Sequence, residues 1–150
     1  SLHEGSGGAG LRRGGFGVNY EVTLRRGEAR ASFVMDHGRT GPPGAFGGHS
    51  GGVNTIAVIK GGEAYVPPHL SKDQDISILA GDSIRVSTPG GGGYGDPLQR
   101  DPEDVLRDVG AGYYSCDQAA DLFGVVMSVS GIDASATDEL RANRQKEKPQ

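Results

Sequence analysis

A chain of 150 residues, with 27 glycines, 8 prolines and no tryptophan, has the length of one domain but little bulky apolar material for its interior. The net charge of −4, without basic runs interleaved with aromatic residues, argues against a nucleic-acid partner, and no apolar stretch approaches the roughly 20 residues that span a bilayer. The single cysteine, Cys116, excludes an intrachain disulfide and a thiolate-rich metal site. We therefore expect a cytoplasmic protein whose apolar surface a partner chain completes, with no membrane and no nucleic acid involved.

The first half of the chain predicts strands separated by glycine-rich loops. Residues 5–17 are too rich in glycine for a helix. Alternation of apolar and polar side chains predicts strands over 18–24 and 29–35, and Gly27 predicts a tight reversal that joins them into a β-hairpin. Residues 36–52 have no period and predict a long loop of the kind that is functional or bound to a partner.

A second hairpin is predicted from residues 53–60 and 63–66, with two glycines at its turn. Two further short strands are predicted at 76–79 and 84–88. Together these segments indicate a mainly antiparallel β-structure over about residues 17–88.

Short helices are predicted after the strands. Asp101 as N-cap, with proline next and acids in the first turn, begins a helix that Gly110 and Gly112 stop. Ser115 and the glutamine three residues later form a capping box that begins a second helix, closed by Gly124. Residues 135–146 predict a polar helix, with so few apolar side chains that we expect a solvated or frayed tail.

The fold class is therefore α+β, with antiparallel β-hairpins followed by short carboxy-terminal helices. The predicted domains are a glycine-rich β-unit at 1–97 and a unit of short helices and a polar tail at 98–150.

Two stretches fit the dinucleotide-binding pattern G-x-G-x-x-G, at residues 5–10 and 90–95. That fingerprint requires a strand before the glycines and a helix that opens on them, and the second stretch runs into Asp96 and Pro97 instead. The phosphate-loop pattern is absent. We therefore expect no ATP or other cofactor to bind to this chain alone.

Nucleophile patterns also lack their context. Ser50 has the glycines of G-x-S-x-G, but a glycine loop precedes it and a strand follows, where a nucleophile elbow needs a strand and then a helix. Cys116 lies in the first turn of a predicted helix, yet no histidine that could activate it is near it in sequence. The sequence therefore assigns no catalytic nucleophile.

The histidines have no metal-ligand spacing, so no metal site is predicted. His37 is the exception of interest, because Asp36 and Arg39 accompany it at the start of the long glycine loop. Such a group can transfer a proton or bind an anion for a neighbouring chain. The candidate active-site or interface loop residues are Asp36, His37, Arg39 and His49.

Three glycine-rich motifs and the carboxy-terminal helices carry a family resemblance. The motifs are Ser6-Gly-Gly-Ala-Gly10 with Arg13-Gly-Gly-Phe-Gly17, Gly41-Pro-Pro-Gly-Ala-Phe-Gly-Gly48, and Thr88-Pro-Gly-Gly-Gly-Gly-Tyr-Gly-Asp-Pro97. The segments 100–109 and 119–127 resemble the closing helices of the same family of proteins. Up to about residue 140, the chain resembles the carboxy-terminal segment of the hydantoinase B family. The resemblance marks a candidate structural glycine motif at Gly90, Gly92, Gly93, Tyr94, Gly95 and Asp96.

The family includes N-methylhydantoinases, 5-oxoprolinases and the acetone and acetophenone carboxylases. In these enzymes an A-type component uses ATP to phosphorylate a carbonyl or amide oxygen, and the B-type component takes part in completing the reaction. The resemblance implies hydantoinase A-like and B-like large subunits as partners, with ATP and Mg or Mn bound by those partners. B-type components are much longer, and the region with their acidic and histidine metal motifs has no counterpart here, so no metal ligand is carried over.

The leading hypothesis is a small subunit of an ATP-dependent ketone carboxylase of the acetophenone type, a ligase whose isolated chain is inactive. A natural split of the B-type component is favoured over a fragment. Two alternatives stay open: a part of an ATP-dependent hydantoinase or 5-oxoprolinase that hydrolyses a cyclic amide, and a non-catalytic structural assembly module.

Overall fold

The structure is a computed structural model that describes residues 1–147. The strands are β1 (Leu2–His3), β2 (Gly17–Thr23), β3 (Glu28–Val34), β4 (Thr55–Lys60), β5 (Glu63–Tyr65), β6 (Lys72–Leu79), β7 (Ser83–Ser87), β8 (Met127–Ser128) and β9 (Gly131–Ile132). The helices are a 3-10 turn at Pro97–Gln99, α1 (Pro102–Gly110), α2 (Cys116–Phe123) and α3 (Ala134–Glu147). Strands followed by carboxy-terminal helices confirm the predicted α+β class.

The strands form antiparallel sheets with a topology that is only partly local. A five-stranded sheet has the order β1-β2-β7-β4-β5, β3 pairs with β6, and β8 pairs with β9. The hairpin of β4 and β5 is confirmed. The predicted hairpin of β2 and β3 is wrong, because β2 pairs with β7 and β3 pairs with β6.

The reason for that difference is a bend in a two-stranded ribbon. Leu24 N–H donates to Asp82 O at 3.0 Å, and Gly81 N–H donates to Leu24 O at 2.8 Å. The two strands therefore stay hydrogen-bonded through the corner, and Gly27 lies in a bend where a reversal was predicted. The ribbon leaves the five-stranded sheet as β2 with β7 and continues as β3 with β6.

Bending the ribbon creates the first apolar core. The core joins residues of β3 and β6 to residues of β4 and β7, so the two-stranded sheet packs against the larger one. Its buried members are Phe33, Ile56, Val58, Ile76, Ile78 and Val86.

The helices begin and end where their capping residues predict. The Asp101 carboxylate accepts from Glu103 N–H at the start of α1, and Ser115 and Gln118 form the reciprocal capping box of α2. Gly124 closes α2 with φ of 62°. A second core lies between these helices and the amino-terminal glycine segments; it contains Ala9, Val105, Tyr114, Ala119, Phe123 and Val125.

α3 is a continuous helix anchored by its arginines, so over the described residues it is not frayed, although most of its residues are exposed as expected for a solvated tail. Arg141 donates to Phe123 O at 3.1 Å and to Arg100 O at 2.7 Å. Thr137 is buried and accepts from Val126 N–H at 3.0 Å. Residues 148–150, which the predicted second domain includes, lie outside the described residues. No helix within residues 1–147 is long and apolar enough to cross a membrane.

Candidate functional site

The glycine-rich segments form a bundle of five extended pieces packed backbone against backbone. The pieces are residues 6–10, 13–17, 41–45, 48–52 and 90–95, and we call them the glycine bundle. The loop at 36–52 predicted as structureless or partner-bound therefore has its partners within the same chain. Hydrogen bonds between the pieces replace the ladder of a regular sheet.

Close approach of the backbones requires glycine at positions three residues apart in each piece, and also at Gly8 and Gly92. At these positions an added Cβ would overlap a backbone atom of a neighbouring piece. A repeat of three matches the three residues per turn of an extended polyproline II helix, which presents the same side to its neighbour once per turn. The paired positions are Gly7 and Gly10, Gly14 and Gly17, Gly41 and Gly44, Gly48 and Gly51, and Gly90 and Gly93.

The candidate glycine motif at 90–96 is the centre of this bundle. Gly91 accepts from Gly8 N–H at 2.9 Å and donates to Gly15 O at 2.9 Å. Gly93 donates to His49 O at 2.8 Å and accepts from Ala45 N–H at 2.9 Å. One segment thus makes backbone hydrogen bonds to each of the other four pieces.

The last three residues of the motif, Tyr94, Gly95 and Asp96, make different contacts. Tyr94 makes reciprocal backbone bonds with Arg12, at 2.8 and 2.9 Å, and its exposed ring lies 5.1 Å from that of Phe46. Gly95 has φ of 74°, and the Asp96 carboxylate caps the following turn by accepting from Leu98 N–H. These residues position the bundle against the helices.

Asp36, His37 and Arg39 lie together in one cleft of about 290 Å³, with His69 and Lys72 on its other wall. The His37 ring Nδ1 is 3.2 Å from Thr40 O, and Lys72 Nζ is 3.1 Å from the Asp36 carboxylate. All three predicted residues are exposed at the cleft surface, so the cleft opens to solvent or to a neighbour.

One residue of this cleft, His37, and one beside it, Leu70, have left-handed backbone conformations. His37 and Leu70 both have positive φ, 62° and 60°, a conformation that costs energy for residues other than glycine. His37 is held there because its carbonyl accepts from Asn54 N–H at 2.9 Å. The Asn54 contact holds the backbone, and the contact with Thr40 O holds the imidazole ring, at the surface of a polar cleft.

His49 lies elsewhere. Its backbone belongs to the glycine bundle, and its side chain lines a separate cleft of about 410 Å³ with Asp96, Asp121 and Arg144. The structure therefore divides the four candidate loop residues between two clefts. Within residues 1–147, no group of three or more His, Cys, Asp or Glu side chains is placed to hold a metal ion.

A buried charge cluster was missed by the sequence reasoning. The Asp108 carboxylate accepts from Arg13 at 2.8 Å and from Arg100 at 2.9 Å. The hydrogen bond to Asp108 raises the pKa of Arg13, while burial lowers the pKa of Arg100 and raises that of Tyr114. The available signal was Asp108 itself, a carboxylate three residues after Val105 on the apolar face of α1.

The glycine bundle coincides with a family signature. The model of the hydantoinase B/oxoprolinase family matches residues 1–97, more than half of the chain. The chain belongs to the hydantoinase B/oxoprolinase family. The matched region, residues 1–97, contains every piece of the glycine bundle and the histidines that line the two clefts, His37, His69 and His49.

Sequence relatives extend the likeness past residue 97. The beta subunit of caprolactamase from Pseudomonas jessenii is 35% identical over 150 aligned positions that cover 95% of this chain and 25% of that protein. The B component of a putative D-/L-hydantoinase from Pseudomonas sp. (strain NS671) is 31% identical over 141 positions, covering 93% of this chain and 24% of that protein. This hydantoinase B-family chain therefore spans about a quarter of the length of these relatives.

Solved structures have the same fold. The ATP-dependent caprolactamase from Pseudomonas jessenii superposes with a TM-score of 0.72 at 32% identity, over 95% of this chain and 25% of that one. A nucleotide-free acetone carboxylase superposes with a TM-score of 0.70 at 22% identity, over 98% of this chain and 24% of that one, a likeness of fold alone.

Proposed function

We propose that this chain supplies the glycine-bundle region of a B-type component in a multi-subunit enzyme that uses ATP to activate a carbonyl or amide oxygen. The observation that carries this proposal is the match to the caprolactamase beta chain, which covers both the bundle and the helices. In this proposal ATP and its Mg or Mn ion bind to a hydantoinase A-like subunit, and a larger B-like polypeptide packs on the bundle.

Asp36, His37 and Arg39 are proposed to face the reacting groups at the contact with a neighbouring chain. Activation by ATP produces phosphorylated, anionic species, and a guanidinium is suited to hold such oxygens. The ring nitrogens of the adjacent imidazole can accept and donate a proton during the following step. Support comes from the open cleft, which these three residues line together, and from the contacts that hold the backbone and ring of His37 there.

The first proposed substrate class is a cyclic amide. It is favoured because the caprolactamase and hydantoinase relatives match more than nine-tenths of this chain. The reaction would be ATP-dependent ring opening of a lactam, hydantoin or oxoproline.

The second proposed class is a ketone, with carboxylation of the acetophenone type as its specific form. Its support is the 36% identity of the acetone carboxylase alpha subunit of Xanthobacter autotrophicus over 64 positions, 39% of this chain. Assays with caprolactam, hydantoin, oxoproline, acetone and acetophenone, each with ATP and the ketones with bicarbonate, separate the two classes.

The experiment that tests a chemical role compares turnover with assembly in the intact complex. His37→Ala and Arg39→Ala should each lower kcat by at least roughly 100-fold, the scale of lost proton transfer or lost charge stabilisation. Subunit assembly, measured by native mass spectrometry, should be unchanged. The matched control is Arg26→Ala, which removes an exposed arginine outside the cleft. Unchanged turnover in both cleft variants would instead favour a structural assembly module.

A further inference from the structure

One edge of β2 is open. β7 pairs with β2 along its length, from Asn19 to Thr23. On the opposite side β1 pairs only with Gly17 and Val18, and the Ser1 backbone exchanges hydrogen bonds with Asn19. Among the strands within residues 1–147, none pairs with residues 20–23 on that side.

The free backbone groups at this edge belong to Glu21 and Thr23. Along an antiparallel strand, hydrogen-bonding groups point to alternate sides. Val18 O accepts from Thr88 N–H on the β7 side, whereas Asn19 bonds toward β1. The next residues on the β1 side are therefore Glu21 and Thr23, which present N–H and C=O groups ready for a further strand.

The same strand exposes an apolar face. Val18, Tyr20 and Val22 are 44%, 44% and 57% exposed. The register places Tyr20 opposite Val86, and Val86 opposite Ile56. Tyr20 therefore lies on the same face of the sheet as the buried core residues Val86 and Ile56, and Val18 and Val22 lie on that face with it. The apolar surface of the core thus continues onto β2, where the described chain leaves it uncovered.

We propose that residues 20–23 of β2 bind an extended strand of the B-type polypeptide that the relatives possess beyond the region matched by this chain. The strand lies in line with β1, hydrogen-bonds to Glu21 and Thr23, and places apolar side chains over Tyr20 and Val22. An open edge next to an apolar face is a template for pairing, and strand addition covers it with main-chain bonds.

Three observations select this occupant. The pairing of β1 with β2 fixes where a strand that continues along the same edge would lie, and which of its residues would hydrogen-bond to β2. The aligned relatives are about four times longer than this chain, so they contain the necessary polypeptide. The apolar face is continuous with the core and calls for a strand with alternating apolar side chains. Only the identity of the occupant rests on the proposed function; the open edge does not.

The test is residue-resolved hydrogen–deuterium exchange of the protein purified from its own cells, compared with the 150-residue chain alone. In the chain alone, the Glu21 and Thr23 amides should exchange much faster than those of Tyr20 and Val22, which face β7. In the purified assembly, a B-type polypeptide should be present and the Glu21 and Thr23 amides should be protected.

Variants make the test specific. Thr23→Pro removes an N–H that no described strand uses and should weaken assembly roughly tenfold or more, whereas Thr23→Ala should not. If Thr23→Pro lowers the stability of the chain itself, a second pair of variants replaces Thr23→Pro and Thr23→Ala. Val22→Lys places a charge on the apolar face, and Thr23→Lys places one on the opposite face as the control. Assembly should be lost with Val22→Lys only.

Several results would overturn the proposed pairing of a B-type strand with β2. Free exchange of Glu21 and Thr23 in an assembly that contains a B-type polypeptide would overturn the proposal. Purification without a B-type polypeptide, or protection produced by a second copy of this chain, would also overturn it. Turnover with ATP is measured on the same sample, so a protected edge without turnover would reject the catalytic assignment and leave the strand pairing in place.

Discussion

Arg13 of the glycine bundle and Asp108 of α1, 95 residues apart in the sequence, form a hydrogen-bonded ion pair with an Nε–Oδ2 distance of 2.8 Å. Arg100 binds the same carboxylate oxygen at 2.9 Å. The side chains of Asp108 and Arg100 are only 12% and 9% exposed, so this cluster ties the bundle to the helices from a largely buried position.

Asp108→Asn should lower the free energy of unfolding by about 3 kcal/mol, because it leaves two partly buried guanidinium groups without their counter-charge. Urea unfolding measures the change. Asp121→Asn is the matched control, since its ion pair with Arg144 is long at 3.8 Å and its side chain is mostly exposed. That control should change stability by no more than about 0.5 kcal/mol, and equal effects in the two variants would contradict the proposed role of the cluster.

Gly93→Ala tests the packing of the glycine bundle. The added Cβ would overlap the backbone of Ala9 and Gly8, so we expect a loss of about 3 kcal/mol or more in urea unfolding. Gly15→Ala is the control in the same bundle, because its Cβ would meet open space and its φ is not positive. Gly15→Ala should be neutral or stabilising by about 0.5 kcal/mol. Tolerance of Gly93→Ala would show that the pieces are not in backbone contact.

Alkaline pH should destabilise the chain partly through Tyr114. Burial raises the pKa of Tyr114, so the folded state keeps its proton above about pH 10, where a tyrosine of the unfolded chain has lost it. The unfolded state then binds fewer protons, and the free energy of unfolding falls as pH rises. Urea unfolding between about pH 8 and about pH 11 should show a shallower fall for Tyr114→Phe.

Tyr65→Phe serves as the comparison for that series. The hydrogen bond to Asp73 raises the pKa of Tyr65, but its site is open to solvent, which screens the effect. The slope should therefore change less in Tyr65→Phe than in Tyr114→Phe. The reverse order would contradict burial as the cause.

Arg141→Lys tests the docking of α3. Lysine cannot reach both the Phe123 and Arg100 carbonyls as the guanidinium does, so we expect a loss of about 1 to 2 kcal/mol in urea unfolding. Gln145→Ala, at an exposed residue of α3, should change stability by no more than about 0.5 kcal/mol. A frayed α3 would give no difference between the two.

Local signals predicted the helices and the β4–β5 hairpin, because the caps at Asp101 and Ser115 and the double glycine after Lys60 act on neighbouring residues. The β2–β3 hairpin failed because Gly27 permits a reversal but does not require one. β2 and β3 do not pair with each other because β2 pairs with β7 and β3 pairs with β6, both far along the chain.

The candidate site divides in the same way. Asp36, His37 and Arg39 are close in sequence, and they share a cleft as expected from that closeness. His49 does not join them, because its backbone is bound into the glycine bundle by Ala9 and Gly93. The repeat of three that builds the bundle is visible in the sequence, but which pieces meet depends on contacts between distant segments.

The central claim is tested most directly by native mass spectrometry of the protein purified from its own cells, combined with ATP-dependent turnover of cyclic amides and ketones by the same sample. The account predicts a fixed ratio of this chain's polypeptide to hydantoinase A-like and B-like chains, with ATP consumed only when one of these substrates is present. A species of 15.5 kDa alone, with no ATP-dependent turnover, would contradict it.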